Sequence, residues 1–74
     1  MSFQILDTVG QKGYKSVTRI ALAVPDMRRG DILEVWGDAP TFERDVRTWC
    51  SHVRKPLLSV GQNGLNVTKI QIQF

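Results

Sequence analysis

Residues 68–74, TKIQIQF, constrain the fold more than any other stretch. Ile70, Ile72 and Phe74 alternate with Lys69, Gln71 and Gln73. A period of two belongs to a strand with one buried face and one wet face. A sheet containing this strand is covered on one side only, so the chain must supply a single covering layer. It has 74 residues in which to do so, enough for one small domain, residues 1–74, with a thin core. Its one cysteine, Cys50, excludes an internal disulfide and agrees with a reducing compartment.

The covering layer is legible as two helical stripes. From about Tyr14 to Val24, Val17, Ile20, Ala21 and Val24 recur at i, i+3, i+4 and i+7, and Met27 continues the phase. Pro25 must end or tighten this helix, because its ring excludes the carbonyl four residues back. Phe42, Val46, Trp49, Cys50 and Val53 make a second, cleaner stripe. Asp38 is expected to cap that helix, with Pro40 in its first turn. Trp36 and Trp49 read as core aromatics.

Strands are expected at SFQILD, DILEVWG, LLSV and LNVTKIQIQF. In the first, Phe3 and Ile5 share a face opposite Gln4. The second is nearly continuous in apolar residues, which suits a central strand. Asn63-Gly64 is a hairpin signal, and Gly10 and Gly13 can supply positive φ to the turn TVGQKG. The order is therefore β-α-β-α-β-β. It predicts an α+β, two-layer α/β sandwich: a mixed four-stranded sheet with two helices on one face. The last strand is also a candidate for edge-to-edge pairing, and the polar sheet face for an interface.

Several function classes drop out on composition. No apolar run reaches the roughly 20 residues of a membrane span, and MSFQILD lacks a signal-peptide pattern, so the expectation is a cytoplasmic protein without membrane contact. One His and one Cys exclude a Cys/His zinc site within one chain, and nothing calls for a cofactor. The net charge of +3 permits contact with nucleic acid or an acidic protein surface without requiring either.

Four segments, in order, resemble the TusA/SirA family of small sulfur-carrier proteins. LDTVG is similar to its L-D-x-R-G start and GDILEVWGDAP to G-E-x-L-E-V-x-x-x-D-P. RDVRTWC is similar to R-D-I-x-x-W/F-C, and PLLSV with the later NG to the closing E-L-L-x-V and D-G hairpin. The resemblance covers nearly the whole chain and implies the sandwich fold. It also implies a C-P-x-P signature opening the first helix three residues after the R-G turn. There the cysteine accepts a persulfide sulfur from a desulfurase-like donor and passes it on, for example toward tRNA thiolation. A thiol at a helix N-terminus suits that work, since the helix end stabilises the nucleophilic thiolate.

The signature positions fall here on Gly13, Tyr14, Lys15 and Ser16. The cysteine position is Gly13, both prolines are absent, and Val9 and Gln11 replace the Arg and the apolar residue beside the family glycine. Ser16 cannot carry a persulfide, and the one His, His52, lies on the other helix as a surface residue. A capping role is expected for Ser16. Lys12, Lys15 and Arg19 surround the helix mouth and can attract an anion or an acidic partner. With Gly13, Tyr14 and Ser16 they form the candidate partner-binding set. Tyr14 either stands exposed for recognition or packs over the turn.

The leading expectation is a non-catalytic binding or regulatory subunit of sulfur transfer, with a sulfur-relay or desulfurase-like protein partner implied by the resemblance. Two alternatives stand beside it. One is a sulfur carrier using Cys50, which the helical stripe places in the core. The other is a small basic tRNA- or RNA-binding module, with Arg44, Arg47, Arg54 and Lys55 along the backbone. Arg28 and Arg29 are read as solubilising charges beside a turn.

Overall fold

In the computed structural model, which describes residues 2–64 and 66–74 and only the backbone of Asn63, six elements follow one another. They are β1 (Phe3–Asp7), α1 (Gly13–Ala23), β2 (Ile32–Gly37), α2 (Phe42–Val53), β3 (Leu57–Asn63) and β4 (Val67–Gln73). A 3₁₀ turn, Val24–Asp26, extends α1. Pro25 thus tightens the helix instead of cutting it, since a proline ring is tolerated at the first positions of a new helical turn.

The sheet order is β1-β2-β4-β3. β1 and β2 are parallel, with Phe3 opposite Ile32; β4 runs antiparallel to both β2 and β3. The expected mixed sheet is therefore present. The last strand is interior, paired on both sides, which corrects the expectation that it could pair edge to edge. The edges are β1 and β3. Leu65, read as the start of the last strand, lies outside the described residues; β4 begins at Val67, and Gly64 takes φ +67° in the connection.

The alternation in β4 behaves as anticipated. Ile70 and Ile72 are fully buried beside Leu33 and Val35 of β2, and Ile20, Phe42, Val46 and Cys50 from the helices complete the core. β3 reaches that core through an irregularity between Leu57 and Ser59. The extra residue lets Leu57 and Val60, three apart, both pack inward while Leu58 stays exposed.

Three details differ from the periodicity reading. Ala21 is exposed and Ala23 packs on the core instead, because α1 meets the sheet along Ser16, Ile20 and Ala23. Val53, placed on the second stripe, is 41% exposed at the end of α2; Phe3 and Ile5 share a face as expected, the uncovered one, each about half exposed, while Leu6 turns inward. Trp36 is not a core residue. It sits half-buried on that same open face, its indole N–H donating to Glu34 Oε2 at 2.8 Å and the Lys69 ammonium 4.6 Å above its ring.

Candidate functional site

Parallel β1 and β2 require α1 to run back between them, which brings its N-terminus to the C-terminal end of both strands. Gly10 turns the chain there with φ +87°, and its N–H donates to Asp38 Oδ1 at 2.8 Å. Asp38 is therefore committed to the α1 mouth and does not cap α2. That helix starts later, with Thr41 as its N-cap residue, leaving Pro40 before the helix. Phe42, the first residue of α2, packs on Gly37 and leaves no space for a Cβ there, its ring carbon Cε1 2.5 Å from where that atom would be.

α1 begins at Gly13, with Lys12 as its N-cap residue in extended conformation and no side-chain cap. Ser16 is not the cap. It is fully buried in the first turn, 2.7 Å from Thr8 Oγ1. Thr8 in turn donates to the Trp36 carbonyl at 2.6 Å, so the Ser16 hydroxyl is the donor of the pair. This relay ties the first turn of α1 to the ends of β1 and β2. Thr8 was passed over in the sequence, where an isolated threonine beside a glycine turn reads as a loop residue.

Gly13 is a helical residue, so its need for glycine is spatial and not a matter of positive φ. A Cβ there would fall inside contact with Asp45 Oδ2 and 2.5 Å from Thr41 Oγ1. Those two side chains are bonded to each other, Thr41 Oγ1 donating to Asp45 Oδ2 at 2.8 Å. The other Asp45 oxygen is 3.5 Å from Arg44 Nε. A polar pair from α2 thus closes over the α1 N-terminus and sets a negative charge against its positive end. The reach of Asp45 to Gly13 depends on how α1 and α2 pack, which no local sequence pattern shows.

The cations stand outside this closed pair. Lys12, Lys15 and Arg19 are all exposed. The nearby carboxylates are turned to other bonds: Asp7 accepts from the Val9 N–H at 3.0 Å, Asp38 from Gly10, and Asp45 from Thr41. Tyr14 is 59% exposed. It forms a ridge between two clefts. One, of about 300 Å³, is bordered by Gly10, Gln11, Lys12 and Lys15. The other, of about 270 Å³, lies between the helices beside Trp49 and His52.

The matching family model describes the sulfurtransferase TusA and spans residues 4–73. The chain belongs to the TusA sulfurtransferase family. No curated protein matches it significantly. Family membership fixes the general setting of this TusA-family domain, a sulfur-carrier-like protein that works with partner proteins.

Cys50 is the remaining sulfur nucleophile to place. It is 4% exposed, within the core formed by α1, α2 and the sheet. Burial pushes its thiol pKa up, and nearby Arg47 offsets this only in part. A thiol so held stays protonated near neutrality and is a poor nucleophile. Among the described residues, no helix is long and apolar enough to cross a membrane.

Proposed function

We propose that this chain is a non-catalytic, partner-binding member of the TusA family, in which Gly13 stands where the family signature places its persulfide cysteine. One observation carries the reading: the space a side chain at residue 13 would need is filled by the bonded Thr41–Asp45 pair. The position has no thiol, and a side chain there would require the Thr41 and Asp45 side chains to move. The fold that presents the helix mouth is otherwise intact, and Lys12, Tyr14, Lys15 and Arg19 are exposed around it. They form a cationic rim with an aromatic ridge, suited to an acidic patch on a sulfur-relay protein.

The test is a transfer assay with a cysteine desulfurase and radiolabelled cysteine sulfur. The wild-type chain is expected to acquire no persulfide, and label on Cys50 would overturn the proposal. Gly13→Cys alone is expected to accept sulfur poorly, because Thr41 and Asp45 crowd the thiol. Gly13→Cys with Thr41→Ala and Asp45→Ala is expected to accept more. In a pull-down from the native cell, the Lys12→Gln/Lys15→Gln/Arg19→Gln variant is expected to lose the partner that wild type retains.

A further inference from the structure

At the other end of the strands, the loop after α1, the end of α2 and the end of β4 meet. Gly30 N–H donates to the Phe74 carbonyl at 2.8 Å and Gln73 N–H to the Pro56 carbonyl at 3.1 Å. Between these segments lies a cleft of about 550 Å³. Its apolar wall is Val24, Met27, Pro56 and Phe74; its charged wall is Arg28, Arg29, Arg54 and Lys55. A second cleft of about 450 Å³ shares Arg54, Lys55 and Pro56 with the first and adds Arg47.

The cations of the first cleft are not held in ion pairs among the described residues. Among the described residues, carboxylate ion pairs within 4.0 Å are made by Arg44 and Arg47 and not by these four. Asp31, the buried carboxylate of this end, accepts from the backbone N–H groups of Ser2 and Arg28 and is not among the lining residues. The end of α2 is closed by backbone bonds. Its Cys50 carbonyl accepts from the backbone N–H groups of Arg54 and Lys55. Lys55 lies over the Phe74 ring at 5.1 Å, which holds one ammonium at the rim.

Arg54 adds an independent sign. Its backbone is left-handed, φ 58° and ψ 42°, the position at a helix end where glycine is the usual residue. A side chain there carries a steric penalty. Strain at a helix end that presents a guanidinium to a cleft points to a use for the guanidinium.

We propose that this cleft binds a phosphate ester, its anionic oxygens on Arg28, Arg29, Arg54 and Lys55 and its less polar body against Met27, Pro56 and Phe74. Guanidinium groups suit phosphate because their forked N–H donors match its oxygens. An aromatic ring beside a cationic rim suits a nucleobase stacked next to its phosphate. The site is remote from Gly13 and independent of the function proposed there.

The test measures binding of fluorescein-labelled oligo(U), and separately of ATP, to the full chain across a salt series. Saturable binding of either supports the proposal. Oligo(U) bound far more tightly than ATP assigns the cleft to a strand, and comparable affinities assign it to a free nucleotide. Arg28→Gln/Arg54→Gly is expected to weaken binding and, for the strand, to reduce the salt slope by about 0.7 for each lost phosphate contact. Arg54→Gly removes the backbone penalty together with the charge, so this variant single is expected to melt no lower than wild type while binding less. Lys69→Gln, which removes a charge on the open sheet face, is expected to bind as wild type does. Absence of saturable binding at low salt, or equal weakening by Lys69→Gln and Arg54→Gly, would overturn the proposal.

Discussion

Gly13 shows how much can depend on one missing atom. A Cβ at this position has no free space, and the neighbours that would have to yield are short side chains engaged with each other. Gly13→Ala is therefore expected to destabilise the domain by about 1–3 kcal/mol, the usual range for overpacking, as measured by urea unfolding. Gly61→Ala serves as comparison, since nothing lies within 4 Å of its added Cβ; it should change stability far less. In a Thr41→Ala background the cost at Gly13 should shrink. The glycine itself was legible as a departure from a family signature. Its crowding was not, because Thr41 and Asp45 lie on another helix and no local pattern links them to residue 13. Ser16 was misread for a related reason. A serine near a helix start favours a capping role on local grounds, but Thr8 offered a buried partner from the preceding loop.

At the level of elements, the two helical stripes predicted the covering layer well. Ile20, Phe42, Val46 and Cys50 are all buried, and the period of 3.6 placed them on facing sides. Cys50 inherits its chemistry from that stripe: burial raises its pKa and shields the sulfur. The native protein is expected to react with iodoacetamide far more slowly than the same chain in urea, as followed by mass spectrometry. Fast native labelling would show that α2 opens readily. The ends of elements were harder to read than their middles. Asp38 and Thr41 are both good N-cap types, and only the α1 mouth, which claims Asp38, decided between them. Trp36 was misplaced because a nearly continuous apolar strand does not reveal which of its faces is covered; β2 turns Leu33 and Val35 inward and leaves Ile32, Glu34 and Trp36 on the open face.

Across the whole molecule, two carboxylates link the fold to pH. Asp31 is held below the ordinary carboxylate range by the backbone N–H groups of Arg28 and Ser2, joining the start of β2 to the loop before it and to the chain start. Glu34 is lowered by the Trp36 indole of its own strand, then by the Gln71 amide, with Lys69 adding to both; the Gln71 bond crosses from β4 to β2. A folded pKa below the unfolded one contributes stability that is complete above the unfolded value. That contribution is lost as pH falls through the folded value. The domain is thus expected to lose stability below about pH 4. Urea unfolding of Asp31→Asn and Glu34→Gln should show a lower plateau at neutral pH and a flatter acid limb. The sequence alone determined the element order, the one-sided sheet and the two covering stripes, because those follow from periods of 2 and 3.6 that each segment carries in itself. Tertiary structure alone decided that β4 is interior, that Thr41 and Asp45 close over Gly13, and that Arg28, Arg29, Arg54 and Lys55 share one cleft. Those outcomes depend on contacts between segments far apart in the chain, and the pairing of surfaces selects them only once every element is in place.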